Sequence, residues 1–477
     1  PVEDIKKQLQ MLDVQTVKPI APSLVVKDGK ASLLLALQDG QRVFWTVSGT
    51  KEDNWAVYIK PVDLEFAASY IKSELSQFTP KALGPVSRLG IGNRHTTFVW
   101  PGIFAAISEI GGPAEVIQNS AYRELAPMDF ILAPPSKESA YLPGHGSLNI
   151  GHTGTSIEGL WLHGVVSAIE HGFTEPYGAD LDHVPVKGLD EQSIQHAKKL
   201  IECGRHYTFF TLDTSYLFNL EGKTYEERFG KAIEAGVLMY EYIKSLKGEE
   251  PFDFEFSLDE APAITAPEEQ EYVLKAFADR GVKVDFIAPN VGFEKRVDYR
   301  LPDGLQALEE RVRALSEIAG RYGALLDFHS GSDKSSETYR TIAKACGGNL
   351  KLKVSGKLQL ILGEVLADVD PQFFNEWYDW TLETARAEAM NGSDVAKKYL
   401  DIVEQRMQKE GTSFKRSPKD LFFTDFSFAM VGAKDEQGRF LFRDRFYSLS
   451  PEVHAEYTRR VKDYVVGLAE DLGLRRK

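Results

Sequence analysis

Cysteine is scarce in this chain: Cys203 and Cys346 are the two among 477 residues, too few for a disulfide framework or a thiolate zinc site. Long apolar runs are missing too. Stretches such as Ser32 to Leu37 and Leu358 to Leu362 fall far short of the roughly 20 residues that cross a bilayer, so no transmembrane segment is expected. The start, Pro1 to Gln10, has no apolar signal core, and with the cysteine usage this predicts a cytoplasmic location. Positive charge is in deficit, with 56 Lys plus Arg against 70 Asp plus Glu and a net charge of −14. A field of that sign repels phosphate backbones, which sets nucleic acid aside as a main partner. It does not exclude a small anion, because a local cluster of cations or a metal ion overrides the global sign inside a cleft. The 39 Gly and 22 Pro are scattered, and 43% hydrophobic with 26% charged residues is globular usage, neither disordered nor fibrous.

What is present is an alternation. Residues from about Ser23 to Lys60 carry two turn signals, Asp28-Gly29 and Asp39-Gly40, between strand-like runs such as Arg42 to Val47 and Trp55 to Ile59, which predicts a small β-rich cap. A helical pattern follows from Val62 to about Gln77. Beyond it come short apolar runs at Val86 to Ile91, Ala114 to Asn119, Gly178 to Asp182, Thr208 to Leu212, Asp253 to Leu258, Lys283 to Ala288, Ala324 to Phe328 and Leu350 to Val354. Amphipathic stretches separate them, clearest at Ser193 to Glu202, Tyr225 to Lys247, Pro267 to Arg280, Gly304 to Tyr322 and Glu337 to Lys344, with Gly stops at Gly204, Gly248, Gly281 and Gly323. Eight strands alternating with helices is the requirement of a (β/α)8 barrel. The expected fold class is therefore α/β: a TIM-type barrel over residues 81–365, a β-rich cap with a helix over 1–80, and a mainly helical region over 366–477 packed on the barrel. An open doubly wound sheet would need a third Gly after Gly90-Ile91-Gly92, where the chain has His95. Glu124 to Gly151 is Pro-rich and irregular, as expected of a long loop or lid, and Pro371 to Gly411 reads as a charged helical insertion that covers the barrel or meets another subunit.

Barrel chemistry gathers at the carboxyl ends of the strands, so polar residues there carry the most weight. The third strand ends in Asp180-Leu181-Asp182-His183, where alternation puts both acids on one face. The seventh ends in Asp327-Phe328-His329 followed by Ser330-Gly331-Ser332-Asp333-Lys334, a small polar turn whose backbone donors suit an anion. In the fifth, Asp253, Glu255 and Ser257 share a face, and a carboxylate on an interior strand needs a partner or a metal. Two His and carboxylates from different strand ends match a catalytic divalent cation with open positions, and His183 and His329 are the expected ligands. Asn290, ending the sixth strand, is a further candidate ligand, as are Glu294 and Asp213. A lone buried His is more often bonded to backbone than to a metal; two at strand ends even the balance. Lys334 reads equally as a solvated turn residue and as a cation aimed at a substrate oxygen. His152, between Gly151 and Gly154, stands apart from the remaining His, which fall on expected loops and helices.

At these residues the chain resembles the tagaturonate 4-epimerase family, metal-dependent hexuronate epimerases with a barrel fold, some of whose relatives act on fructose and tagatose. The ordered blocks that carry the resemblance are Gln118-Asn119-Ser120, Gly178 to Val184, Phe210 to Asp213, Phe252 to Glu260, Glu294 to Tyr299 and His329 to Lys334. They span roughly Val86 to Leu358. The resemblance implies Asp182 as proton acceptor, Glu255 as proton donor and His183 and His329 as ligands of one divalent ion, Zn, Mn, Co or Ni. It also implies a sugar or sugar-acid substrate, with Gln118, Ser120, His152, Asp213, Ser330, Ser332, Asp333 and Lys334 as the candidates that bind it. One departure bears on substrate: where an Arg-Thr-Gly-Arg segment is expected in the uronate enzymes, this chain has His152-Thr153-Gly154-Thr155, which favours a neutral ketose. The expected reaction is inversion at the fourth carbon of a ketohexose or keto-hexuronate by retro-aldol and aldol steps. A metal-dependent ketose isomerase or aldolase, a two-carboxylate glycosidase and a non-catalytic sugar-binding protein are the rival readings, and association of copies of the chain is left open.

Overall fold

In the computed structural model, the described residues are four strand segments between 15 and 46, and residues 68–476 apart from 70, 74, 93–98, 137–140, 144, 148 and 448. The eight apolar runs pair in parallel register: β1 (Arg88–Ile91), β2 (Ala114–Ser120), β3 (Gly178–Pro185), β4 (Phe209–Asp213), β5 (Asp253–Ser257), β6 (Phe286–Ala288), β7 (Leu325–Phe328) and β8 (Leu350–Val354). They close into a barrel in sequence order, β8 pairing β1. Each strand is followed by a covering helix: α1 (Trp100–Ile110), α2 (Ile157–Glu170), α3 (Glu191–Cys203), α4 (Tyr225–Lys247), α5 (Pro267–Asp279), α6 (Gly304–Arg321), α7 (Ser336–Ala345) and α8 (Gly356–Val369). Local chemistry sets these limits. Side chains of Ser156, Asp190, Thr224 and Ser335 accept hydrogen bonds from the first turns of α2, α3, α4 and α7. Gly248 and Gly323 turn the chain through φ of 62° and 73° after α4 and α6, a region that residues with a Cβ avoid.

The four N-terminal segments, Gln15–Thr16, Leu24–Lys27, Lys30–Ala36 and Arg42–Thr46, form an antiparallel sheet in sequence order. Lys27 pairs Lys30, so two residues connect those strands, as the Asp-Gly signal predicts. The strand expected at Trp55 to Ile59 lies outside the described residues, as do parts of the expected helix from Val62. The C-terminal region is helical, with α9 (Pro371–Met390), α10 (Asp394–Glu410) and α11 (Pro451–Asp471) as its long elements. α11 lies along α1 and is tied to the start of α8 by the Tyr457 hydroxyl, which donates to the Leu358 carbonyl at 2.9 Å. The charged stretch from Pro371 is thus two helices broken at Asn391-Gly392, where Gly392 takes a φ of 101°. Among the described residues no helix is long and apolar enough to cross a membrane.

The barrel interior is filled by charge as well as by hydrocarbon, unlike the branched aliphatic layers usual in this fold. At the amino end Arg88 bonds Glu115 at 2.7 Å and Asp253 at 3.0 Å. One layer up, the Lys351 ammonium meets Asp180 at 2.8 Å, Asp327 at 3.2 Å and Glu255 at 3.4 Å. At the carboxyl end Lys353 is paired with Asp182. Phe209 lies against both lower cations, its ring centroid 3.9 Å from the Lys351 nitrogen. Gly90 leaves the room these side chains occupy: a Cβ there would stand 2.5 Å from Gln118 Oε1, 3.1 Å from Lys351 Cε and 3.2 Å from Lys353 Cγ. Gly90→Ala is expected to destabilise the protein by about 1–3 kcal/mol, the usual cost of overpacking a filled interior. A urea midpoint that matches the parent protein would contradict this.

Candidate functional site

A cleft of about 900 Å³ opens over the carboxyl ends of the strands. β3 delivers Asp182 and His183 to it, the turn after β7 delivers His329, Ser330 and Ser332, and β8 delivers Lys353. Strict alternation would send Asp182 and His183 to opposite faces. A register shift between Leu181 and Val184 against β4 removes that constraint, and His183 adopts a φ of 50°. The extra residue re-aims the chain, so both consecutive side chains line the cleft. Tyr122, Arg296 and Ser330, also on the cleft, share this left-handed conformation at φ of 69°, 65° and 54°. Such backbone is held only where its surroundings over-determine it.

The turn after β7 is braced accordingly. The Tyr339 hydroxyl donates to the Gly331 carbonyl at 2.6 Å, and the Lys334 ammonium donates to the carbonyls of Glu294, Ser330 and Ser332 at 2.8, 2.8 and 3.0 Å. A Cβ on Gly331 would come within 2.7 Å of the Lys353 carbonyl, so glycine is what lets this turn lie on β8. Burial pushes the Lys334 amine down to about 8.

Beneath the cleft floor the charges are interlocked. His329 Nε2 is 2.7 Å from Glu255 Oε1 and 3.4 Å from Asp327 Oδ2. Among the described residues its Nδ1 is buried without a hydrogen-bond partner, with Asp259 Oδ2 3.8 Å away. The His183 ring stands edge-on to His329 with centroids 4.8 Å apart. Burial, with the Asp327 charge beside it, pushes the Glu255 carboxyl up to about 7. Burial works the same way on Asp327, but Lys351 and His329 outweigh it and hold that carboxylate well below its usual range. Against burial and the charge of Lys353, the two acids raise His329 to about 10. Burial, then the charges of Lys353 and His329, keep His183 well below the ordinary imidazole value, so it stays neutral. Glu255, Asp327 and His329 bring one ligand atom each within 4.8 Å of one another, a group able to hold a metal ion.

Of the residues singled out in the sequence, Gln118, Ser120, His152, Asp182, His183, Asp213, His329, Ser330 and Ser332 line this one cleft. Four do not. Glu255 is fully buried below His329. Asn290 donates to the Ala261 carbonyl at 2.8 Å and accepts from the Gly292 amide at 2.9 Å, so both ends of its amide serve a loop. Lys334 is turned onto backbone carbonyls, as above, and Asp333 sits beside Lys357 at 3.8 Å. Asp213 lines the cleft but accepts from the Ser215 amide and hydroxyl at 3.0 and 2.6 Å.

Several residues in or beneath the cleft escaped the sequence reading. Lys351 and Lys353 alternate with Leu350, Leu352 and Val354 along β8, the same period-two signal that marked β5. Asp259 continues the face of Asp253, Glu255 and Ser257. Glu388, Tyr399, Asp425 and Phe428 come from the C-terminal helical region, and nothing local in the sequence places them on the cleft wall. Phe428 packs on His152 with ring centroids 4.1 Å apart, and Arg296 is bound to Asp425 and Thr424.

Comparison with known proteins bears on the fold and the family. A tagaturonate/fructuronate epimerase of Thermotoga maritima is 30% identical over 259 residues, 45% of this chain and 51% of that protein, so the match spans about half the length of this curated relative. Crystal structures of the fructuronate-tagaturonate epimerase UxaE from Cohnella laeviribosi, native and glycerol-complexed, superpose with a TM-score of 0.64 over 99% of both chains at 19% identity, a likeness of fold. The sequence model of the tagaturonate epimerase family matches residues 218–468, more than half of the chain, and the chain belongs to that family.

Proposed function

We propose that this protein is an isomerase that inverts the fourth carbon of a keto-hexuronate, interconverting tagaturonate and fructuronate with the help of one divalent cation held at His183 and His329. The observation that carries this reading is His329 Nδ1, buried and, among the described residues, without a hydrogen-bond partner beside the neutral His183, while the opposite ring nitrogen is tied to Glu255. A carboxylate on the far nitrogen is the support that metal-binding imidazoles use. The deeper group of Glu255, Asp327 and His329 already has a cation, Lys351, against its two acids, which favours the cleft side of the ring for the metal. Nitrogen with carboxylate oxygen suits Zn, Mn, Co or Ni, with Asp259, 3.8 Å from His329 Nδ1, as an oxygen donor.

Bound there, the cation would supply Lewis acidity to the oxygens of the keto sugar. The proton on the fourth carbon is not α to the ketone, so direct abstraction has no enolate to spread the charge. Asp182 instead takes the proton of the fourth-carbon hydroxyl. The bond to the third carbon breaks, its electron pair passing into a three-carbon enediolate while the other fragment becomes an aldehyde. Rotation of the aldehyde, return of the bond from the other face and return of the proton to oxygen give the epimer. Lys353 fixes the Asp182 carboxylate at the cleft wall. Glu255, the donor that the family resemblance implies, meets the cleft through His329, whereas Asp259, raised by burial, reaches it directly. The segment His152-Thr153-Gly154-Thr155, without arginine, is what favours the second reading, a neutral ketohexose such as fructose or tagatose.

Chelator-stripped protein, incubated with each ketose and keto-uronate with and without Mn²⁺, Co²⁺, Ni²⁺ or Zn²⁺, tests this. Metal-restored interconversion of tagaturonate and fructuronate is the expected result, and full activity in the stripped protein or formation of an aldose or triose product would overturn it.

A further inference from the structure

The cleft mouth carries two cations that the mechanism above does not use. Arg123 follows β2 and Lys187 follows β3; both are exposed, and both line the cleft. β2, β3 and β4 are neighbours in the barrel, so the loops after them form one wall. Tyr216, in the turn after β4, links the two. The Lys187 ammonium lies 5.5 Å from its ring centroid, and the charge of Arg123 acts on its phenol against burial and the acids Asp213 and Glu260.

Carboxylates outnumber cations in the chain, 70 to 56, and two of the five Lys and Arg that line this cleft are held in ion pairs. Lys353 is paired with Asp182, and Arg296 with Asp425. Among the described residues Arg123 and Lys187 have no ion pair, although Asp213 ends β4 on this wall and Glu260, after β5, also lines the cleft. Asp213 is occupied by Ser215. An arginine and a lysine left without an internal partner beside a phenol make a receptor for a carboxylate that arrives with the ligand.

We propose that Arg123 and Lys187 receive the carboxylate of the sugar acid, so that this wall separates keto-hexuronates from neutral ketohexoses in a chain whose His152 to Thr155 segment lacks arginine. This rests on the epimerase reading of the same cleft. The charge needed for a uronate is supplied from the loops after β2 and β3, and the missing arginines do not make the substrate neutral.

The test is the ratio of kcat/KM for tagaturonate to that for tagatose in the metal-loaded protein and in Arg123→Gln, Lys187→Gln and the double variant. Loss of a hydrogen bond to a charged group is worth about 10- to 100-fold, and the ratio is expected to fall by that factor in Arg123→Gln and further in the double variant. The loss should appear mainly as a higher KM for the uronate. A ratio that stays put, whether both substrates weaken alike or neither does, overturns the proposal. Should the parent protein turn over neither sugar, calorimetric binding of tagaturonate and tagatose gives the answer separately. Tagaturonate affinity that drops by the same factor in Arg123→Gln supports the carboxylate site while the epimerase reading fails; affinity equal in parent and variant, or no uronate binding at all, overturns it.

Discussion

Asp182→Asn is expected to lower kcat for epimerisation by about 10²- to 10⁴-fold, the contribution of a positioned proton-transfer group. Asn keeps the shape of the side chain and removes its ability to take the hydroxyl proton. The site should otherwise survive, because His183 and His329 bind through their own rings and the turn after β7 is braced by Tyr339 and Lys334 rather than by Asp182. KM is therefore expected to change little, and metal content per chain should match the parent. The neutral amide leaves Lys353 without its nearest carboxylate, so a modest loss of stability is also expected, read from the urea midpoint. A variant that retains kcat within a few-fold would remove Asp182 from proton transfer and shift that role to Asp259, a carboxylate on the cleft wall 3.8 Å from His329 Nδ1.

The largest effect on stability is expected from Lys351→Met. The ammonium is fully buried and is the shared partner of Asp180, Asp327 and Glu255. Methionine fills the volume but leaves three acids around an apolar end, and breaking a buried ion pair from one side costs about 3–5 kcal/mol. The pH dependence follows from the carboxylates. Glu255 already sits at about 7 in the folded protein, above its ordinary 4.5. A group raised in this way stabilises the fold fully below its unfolded value and loses that contribution as pH rises through the folded value. Without Lys351 the neighbouring acids rise further, because its charge acts to lower each of Asp180, Asp327 and Glu255. The deficit of the variant should then be greatest at about pH 8 and shrink toward about pH 5, as the acids take up protons. Urea midpoints across that range check it; a deficit independent of pH would mean that the acids are compensated by another route.

The barrel itself was legible in the sequence. Each of its eight strands overlaps an apolar run read from the chain, with ends shifted by up to three residues, and the glycine stops fall at the helix ends. Hydrophobic periodicity, N-cap side chains and glycine at positive φ act within a few residues of one another, so they survive in the linear record. The sequence alone also placed Asp182, His183 and His329 at strand ends, and the rule that barrel chemistry gathers there ranked them first. It did not use the same period-two signal in β8, where Lys351 and Lys353 were hidden by being the wrong kind of residue for an interior strand.

The tertiary structure decided the rest. It put Asp182 and His183 on one cleft by a register shift against β4, which alternation within β3 cannot reveal because a bulge is defined by the partner strand. It set Glu255 beneath His329 and spent the polar atoms of Asn290 and Lys334 on loop backbone. Residue type and position along a strand do not show which hydrogen-bond partner lies nearest in space. Lys351 and Asp180 are 171 residues apart in the chain and 2.8 Å apart in the barrel. Tyr399, Asp425 and Phe428 reach the cleft from the C-terminal helices in the same way. Local pattern determined which elements form and where chemistry gathers; the pairing of buried charges across the barrel depends on distances that exist only after closure.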